Sequence, residues 1–160
     1  MNKLFFLIAI TFSITIRAQV TQVSLQASGL TCSMCSNSIN KALMTLDFVL
    51  KVEADIKTYT FEIFFKPNSQ VDFDLIRAKV DKAGFSVSGF AAYIQFNNAS
   101  LKNDHSVIVE EKTFHFVNTR DQSLNGLKKI KILDKGFVTP KEFKANAFPV
   151  LSSRNYHATI

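Results

Sequence analysis

Tryptophan is missing from the 160 residues, proline occurs three times, glycine five times and cysteine twice. No low-complexity tract or internal repeat is present, and no glycine-rich loop suited to cradling phosphate. Neither a G-x-S-x-G turn nor an HExxH pair occurs, so the familiar hydrolytic constellations have no footing and the chain is read as a non-enzyme. Charge of one sign is also scarce. The 19 Lys and Arg residues stand against 13 Asp and Glu, and the basic ones are scattered apart from "LKKIKILDK" at 127–135. No aromatic residues interleave with that run in a stacking pattern, which argues against nucleic acid as a partner. Long apolar runs are missing too. The longest opens the chain, from Leu4 to Ile16 after the positive Lys3, and is too short for a comfortable membrane span. It leads into Ile16-Arg17-Ala18, a small residue where a signal peptidase would cut. Residues 1–18 are therefore expected to be a secretory signal, with Gln19 the first mature residue and no membrane span after cleavage. The expected location is periplasmic or extracellular, where cysteines can form disulfides.

What the chain does have is a large apolar fraction, 47%, with 16 phenylalanines, enough to bury a core. Its periodicity switches repeatedly. Val23, Leu25 and Ala27 alternate with polar residues, as in a half-buried strand. Ile39, Ala42, Leu43 and Leu46 then follow the i, i+3, i+4, i+7 spacing of an amphipathic helix. Alternation returns in Phe48, Leu50, Val52, Ala54 and Ile56, and again in Tyr59, Phe61, Ile63 and Phe65. The short link between these runs predicts a hairpin. Asp72 is placed to cap a second helix, with Phe73, Ile76, Val80 and Ala83 on one face and Gly84 at its end. The apolar run from Phe85 to Phe96 completes the order βαββαβ. That order predicts an α+β fold, the ferredoxin-like split βαβ sandwich of a four-stranded antiparallel sheet with both helices on one face. The polar stretch "NNASLKND" at 97–104 reads as a boundary. A small β-rich C-terminal unit over 105–160 is expected beyond it, with short strands, a short helix after Pro140 and a last strand "RNYHATI". Residues 20–96 are expected to form a domain by themselves.

The two cysteines, Cys32 and Cys35, lie in the turn between the first strand and the first helix, spaced C-x-x-C. Three chemistries fit such a pair: a redox dithiol, a structural disulfide and a soft-metal clamp. The helix start favours thiolate over thiol at Cys35. Two thiolates with no His, Asp or Glu close by in sequence make a two-coordinate site. Cu(I) and Hg(II) accept such coordination, whereas Zn(II) prefers four ligands. Against a thioredoxin-like oxidoreductase stand the missing Trp before the first cysteine and the missing Pro between or after the pair. A disulfide closing so small a loop would stabilise little.

The stretch "GLTCSMCSNSINKAL" resembles the G-M-T-C-x-x-C motif of the heavy-metal-associated domain family. The family is found in copper chaperones, in modules of copper-transporting P-type ATPases and in a small periplasmic mercury-binding protein. The similarity continues through the hairpin to "AKVDKAGFSV" and covers about residues 20–96. It implies that Cys32 and Cys35 bind the metal and that Phe85, the aromatic after the glycine, lies near the site. Thr31 matches the motif, Leu30 stands where the family usually has Met, and Phe85 where bacterial members often have Tyr. The resemblance further implies a cargo of Cu(I), with Hg(II) or another soft ion as alternatives. A copper-transporting ATPase or another dithiol metal protein would be the exchange partner. Met34 reads as a solvent-facing spacer. His105, His115 and His157 all fall in the C-terminal unit. His115 and His157 should point away from the apolar faces of their strands and be exposed rather than build a second metal site.

Overall fold

The computed structural model describes residues 18–31, 33–101 and 106–160. Most of the expected signal segment, together with Cys32 and His105, lies outside the described residues. Among the described residues no helix is long and apolar enough to cross a membrane.

The first strand, β1 (Gln19–Ser28), is followed by α1 (Ser33–Met44), β2 (Val49–Asp55), β3 (Thr60–Phe65), α2 (Phe73–Lys82) and β4 (Ser86–Leu101). These strands lie in the order β2-β3-β1-β4, with every pairing antiparallel, which is the ferredoxin-like arrangement. Alternation decides which side chains turn inward. Val23 and Leu25 of β1, Phe61 and Ile63 of β3, and Phe90, Ala92 and Ile94 of β4 are buried with Ile39 and Leu43 of α1 and Ile76 and Val80 of α2. Each such Val, Leu, Ile or Phe side chain taken fully out of water contributes about 1.5–3 kcal/mol.

The expected apolar face of β2 fails at Leu50, Ala54 and Ile56, which are all exposed, Ile56 lying beyond the end of the strand. A register shift between Val49 and Lys51 turns Val49 into the core and leaves Leu50 55% exposed. A bulge adds one residue to a strand and inverts the faces on one side of it, so simple alternation across 48–56 could not place both.

Residues 97–101 are not a break, because β4 runs through them to Leu101. Its first part pairs with β1, through Gln95. From Ala91 to Leu101 it pairs with β7 (Gln122–Ile132), with an irregularity between Phe96 and Ala99. The remaining elements are β5 (Ser106–Val109), β6 (Lys112–Phe116), α3 (Pro140–Asn146) and β8 (Asn155–Thr159). They extend the same sheet in the order β4-β7-β8-β6-β5. Within this extension β6 and β8 run parallel. Phe114, Phe116, Leu124, Ile130, Tyr156 and Ala158 enter the same hydrophobic core as the βαββαβ part.

The two parts meet at the start of α2. The Phe73 ring lies 5.0 Å from Phe90, 5.3 Å from Tyr156 and 6.2 Å from Phe114, centroid to centroid. The Tyr156 hydroxyl donates to Asp74 Oδ2 at 3.1 Å. Burial and that carboxylate push the phenol well above its ordinary pKa, so it stays a donor. At the β5–β6 turn Glu110 and Glu111 both adopt positive φ, 48° and 65°, the conformation a tight hairpin requires. Glu110 accepts the Val20 N–H at 3.2 Å, tying the hairpin to the start of β1. Lys112 lies 5.4 Å from the centre of the Phe73 ring, its side chain 4% exposed and 3.7 Å from Glu110. Desolvation pushes the Glu110 pKa up and the Lys112 pKa down.

Asp72 caps α2 as expected, its side chain accepting from the Leu75 N–H at 3.0 Å. Asp72→Ala is expected to lower stability by about 0.5–2 kcal/mol, measured as a shift of the urea midpoint at unchanged slope.

Candidate metal centre

The motif loop is shaped by two glycines and a helix end. Gly29 follows β1 at φ +87° and Gly84 follows α2 at φ +90°, values that L side chains adopt only under strain. At the end of α2 the Gly84 N–H donates to the Asp81 carbonyl at 3.0 Å and the Phe85 N–H to the Val80 carbonyl at 3.2 Å. This pair of bonds is the Schellman stop, which fixes the direction of the residue after the glycine. Phe85 is thereby set against the motif loop: a β-carbon placed on Gly29 would lie 4.0 Å from Phe85 Cδ1. Phe85 therefore lies beside Gly29, at the start of the motif. Leu30, in place of the family's Met, is buried in the core cluster, as an apolar packing residue should be.

Cys35 is the third residue of α1, half-buried and packed on the core. It stands within the first turn of α1, where the backbone N–H groups of a helix start stabilise a thiolate. The first turn of α1 contains no acidic residue that would oppose that charge. Met34 is 78% exposed, in keeping with a spacer, and Thr31 is exposed beside it. Among the described residues no group of three or more His, Cys, Asp or Glu is assembled that could hold a metal ion. Of the two motif cysteines, Cys32 lies outside the described residues. A concavity of about 910 Å³ lies on the sheet, bordered by Glu53, Glu62 and Lys129. Cys35 is not among its walls.

The C-terminal strands meet the other end of α2. Phe73 starts that helix against Tyr156, while Phe85 follows its end against Gly29. Ten residues of helix, about 15 Å, separate the two ends.

The C-terminal histidines depart from expectation. Phe114, Phe116, Tyr156 and Ala158 take the core face of their strands, so His115 and His157 occupy the other face as the alternation requires. His157 is nevertheless 7% exposed. Its backbone N–H and its Nδ1 both bond to Asp134, each at 2.7 Å, and Phe148 stacks on its ring at 4.5 Å. Both partners belong to the β7–β8 connection, and their approach left no mark in the local pattern.

Fold and motif together define a small metal-binding module with an added run of strands. Residues 24–86 match the family model of the heavy-metal-associated domain. Over 69 residues the chain is 35% identical to a probable copper-transporting ATPase of Arabidopsis thaliana, a match that covers 43% of this chain and 7% of the ATPase. The chain thus spans only a small fraction of that relative's length. Similar solved structures include the yeast copper transporter domain Ccc2a, at 31% identity and a TM-score of 0.38 over 41% of this chain and 88% of that one. Another is the oxidised MerP of Ralstonia metallidurans, at 25% identity and a TM-score of 0.39 over 44% of this chain and 94% of that one.

Proposed function

We propose that the protein captures Cu(I) outside the cytoplasm through the thiolates of Cys32 and Cys35 and passes it on by ligand exchange, without catalysing a reaction. The observation that carries this reading is the placement of Cys35. It stands in the first turn of α1, half-exposed, with no neighbouring carboxylate in that turn, in a loop shaped by Gly29 and Phe85. A linear bis-thiolate ion needs only the two sulfurs, and a surface site lets an incoming dithiol bind the ion before the first pair lets go. The similarity of residues in this part to a copper-transporting ATPase supports an ATPase module, or another dithiol protein, as the exchange partner. Hg(II) and other soft ions would fit the same pair. Export would follow from the expected cut after Ala18, which leaves β1, starting at Gln19, whole.

The test is a titration of the reduced protein with Cu(I) in competition with a chromophoric Cu(I) chelator. One equivalent withdrawn from the chelator is expected. A reduced protein that ignores Cu(I) yet exchanges disulfides readily with a dithiol substrate would make the pair a redox centre instead.

A further inference from the structure

We propose that His115 and His157 form a second metal site, for an exchangeable divalent ion of the Cu(II) class, on the outer face of the C-terminal strands. It is separate from the cysteine loop in both place and chemistry.

The site is built by strand register. β6 and β8 are the parallel pair of the sheet, and His115 lies directly across from His157. Parallel pairing puts both side chains on one face, with ring centroids 6.1 Å apart and planes at 44°. Each ring already has its Nδ1 engaged. His157 Nδ1 is 2.7 Å from Asp134 Oδ1. Because a carboxylate only accepts, that nitrogen carries the proton and the ring's lone pair is at Nε2. His115 Nδ1 lies 2.7 Å from Ser106 Oγ, and because a hydroxyl can accept as well as donate, the tautomer whose Nδ1–H donates to Ser106 offers Nε2 to a metal. A histidine oriented by a carboxylate at one nitrogen and open at the other is how proteins prepare an imidazole for a metal.

The surroundings set the kind of ion. Phe148 stacked on His157 keeps water off one side of the pair, while His115 is only half-buried and leaves a path of entry. The rings are close enough for two metal–nitrogen bonds of about 2.0–2.1 Å once the half-exposed His115 turns its Nε2 toward its neighbour. Among the described residues no third His, Cys, Asp or Glu completes a ligand set, so water or an incoming group must fill the remaining positions. Two imidazoles plus water suit tetragonal Cu(II), which also heads the affinity order of the divalent first-row ions. A site with two protein ligands and open positions binds reversibly, as a loading or relay point would. A purely structural role for His157 accounts for the Asp134 bonds but not for a second imidazole placed across from it with its own Nδ1 engaged.

The experiment uses the full chain carrying Cys32→Ser and Cys35→Ser, so that thiols neither trap nor reduce the metal, and titrates it with Cu(II) alone. The expected result is one bound equivalent whose pulsed EPR spectrum shows two imidazole nitrogens. His115→Ala, at a half-exposed position where the fold is safe, should remove one imidazole signal. Asp134→Asn should weaken binding roughly 10–100-fold, the usual effect of losing the partner that orients a ligand. His105→Ala should change nothing. A spectrum unaltered by His115→Ala, or one abolished by His105→Ala, would overturn the site. So would binding that persists with a single imidazole in the parent, which would mark copper held adventitiously at the chain terminus.

Discussion

Cys35→Ser is expected to remove most of the Cu(I) affinity, and Cys32→Ser to do the same, whereas Met34→Ala should leave it nearly intact. A two-coordinate ion that loses one of two thiolates keeps a single sulfur, and the first turn of α1 carries no acidic residue to stand in for the lost one. The loss should therefore exceed the roughly 10–100-fold that follows removal of a mere orienting group. Met34 points into solvent, and its truncation disturbs neither sulfur nor core. Acidification should weaken binding in the parent, since protons compete for both thiolates, with the helix-start position protecting Cys35 longest. The measurement is competition with a Cu(I) chelator, with folding of each variant checked by circular dichroism. A Cys35→Ser protein that still matched the parent would refute the clamp.

Phe73→Ala should produce the largest loss of stability of any single substitution considered for this fold. The ring is fully buried and lies where the βαββαβ part meets the C-terminal strands, touching Phe90 on one side and Phe114 and Tyr156 on the other. Lys112 also lies over it. Removing a buried phenylalanine costs about 3–5 kcal/mol, and in a protein of this size each kcal/mol moves the melting temperature by roughly 2–4 °C. Calorimetry should thus show a fall on the order of 10 °C as a single transition, because one core spans both parts. At a temperature where the variant remains folded, its Cu(I) affinity should match the parent, since Phe73 and the motif loop lie at opposite ends of α2. Two separate transitions, with only one of them shifted, would show that the parts unfold independently and that Phe73 does not join them.

Much of this architecture could be read directly from the residues. Periodicity distinguishes strand from helix because a strand shows alternate residues to one face and a helix every third or fourth. The order βαββαβ followed from Val23 to Phe96 on that ground alone. Caps were equally legible: Asp72 and Gly84 act through bonds to neighbours a few residues away, so their chemistry is local. The cysteine pair was legible for the same reason, since two soft ligands three residues apart at a helix start constrain what can bind.

Local pattern is silent about partners far along the chain. Nothing in 97–104 could say that β4 would run on to Leu101 and offer its free edge to β7. Nor could alternation reveal the bulge at Val49, which only pairing with β3 defines. His157 makes the point most directly. Its alternation placed it on the outer face, and so it is; yet Asp134 and Phe148 fold over it and bury it. The residues themselves determined the order βαββαβ, most of the apolar faces within it and the C-x-x-C spacing. Strand neighbours, the joint core around Phe73 and the meeting of His115 with His157 came only from tertiary structure, because pairing and burial depend on segments distant in sequence that no local period encodes.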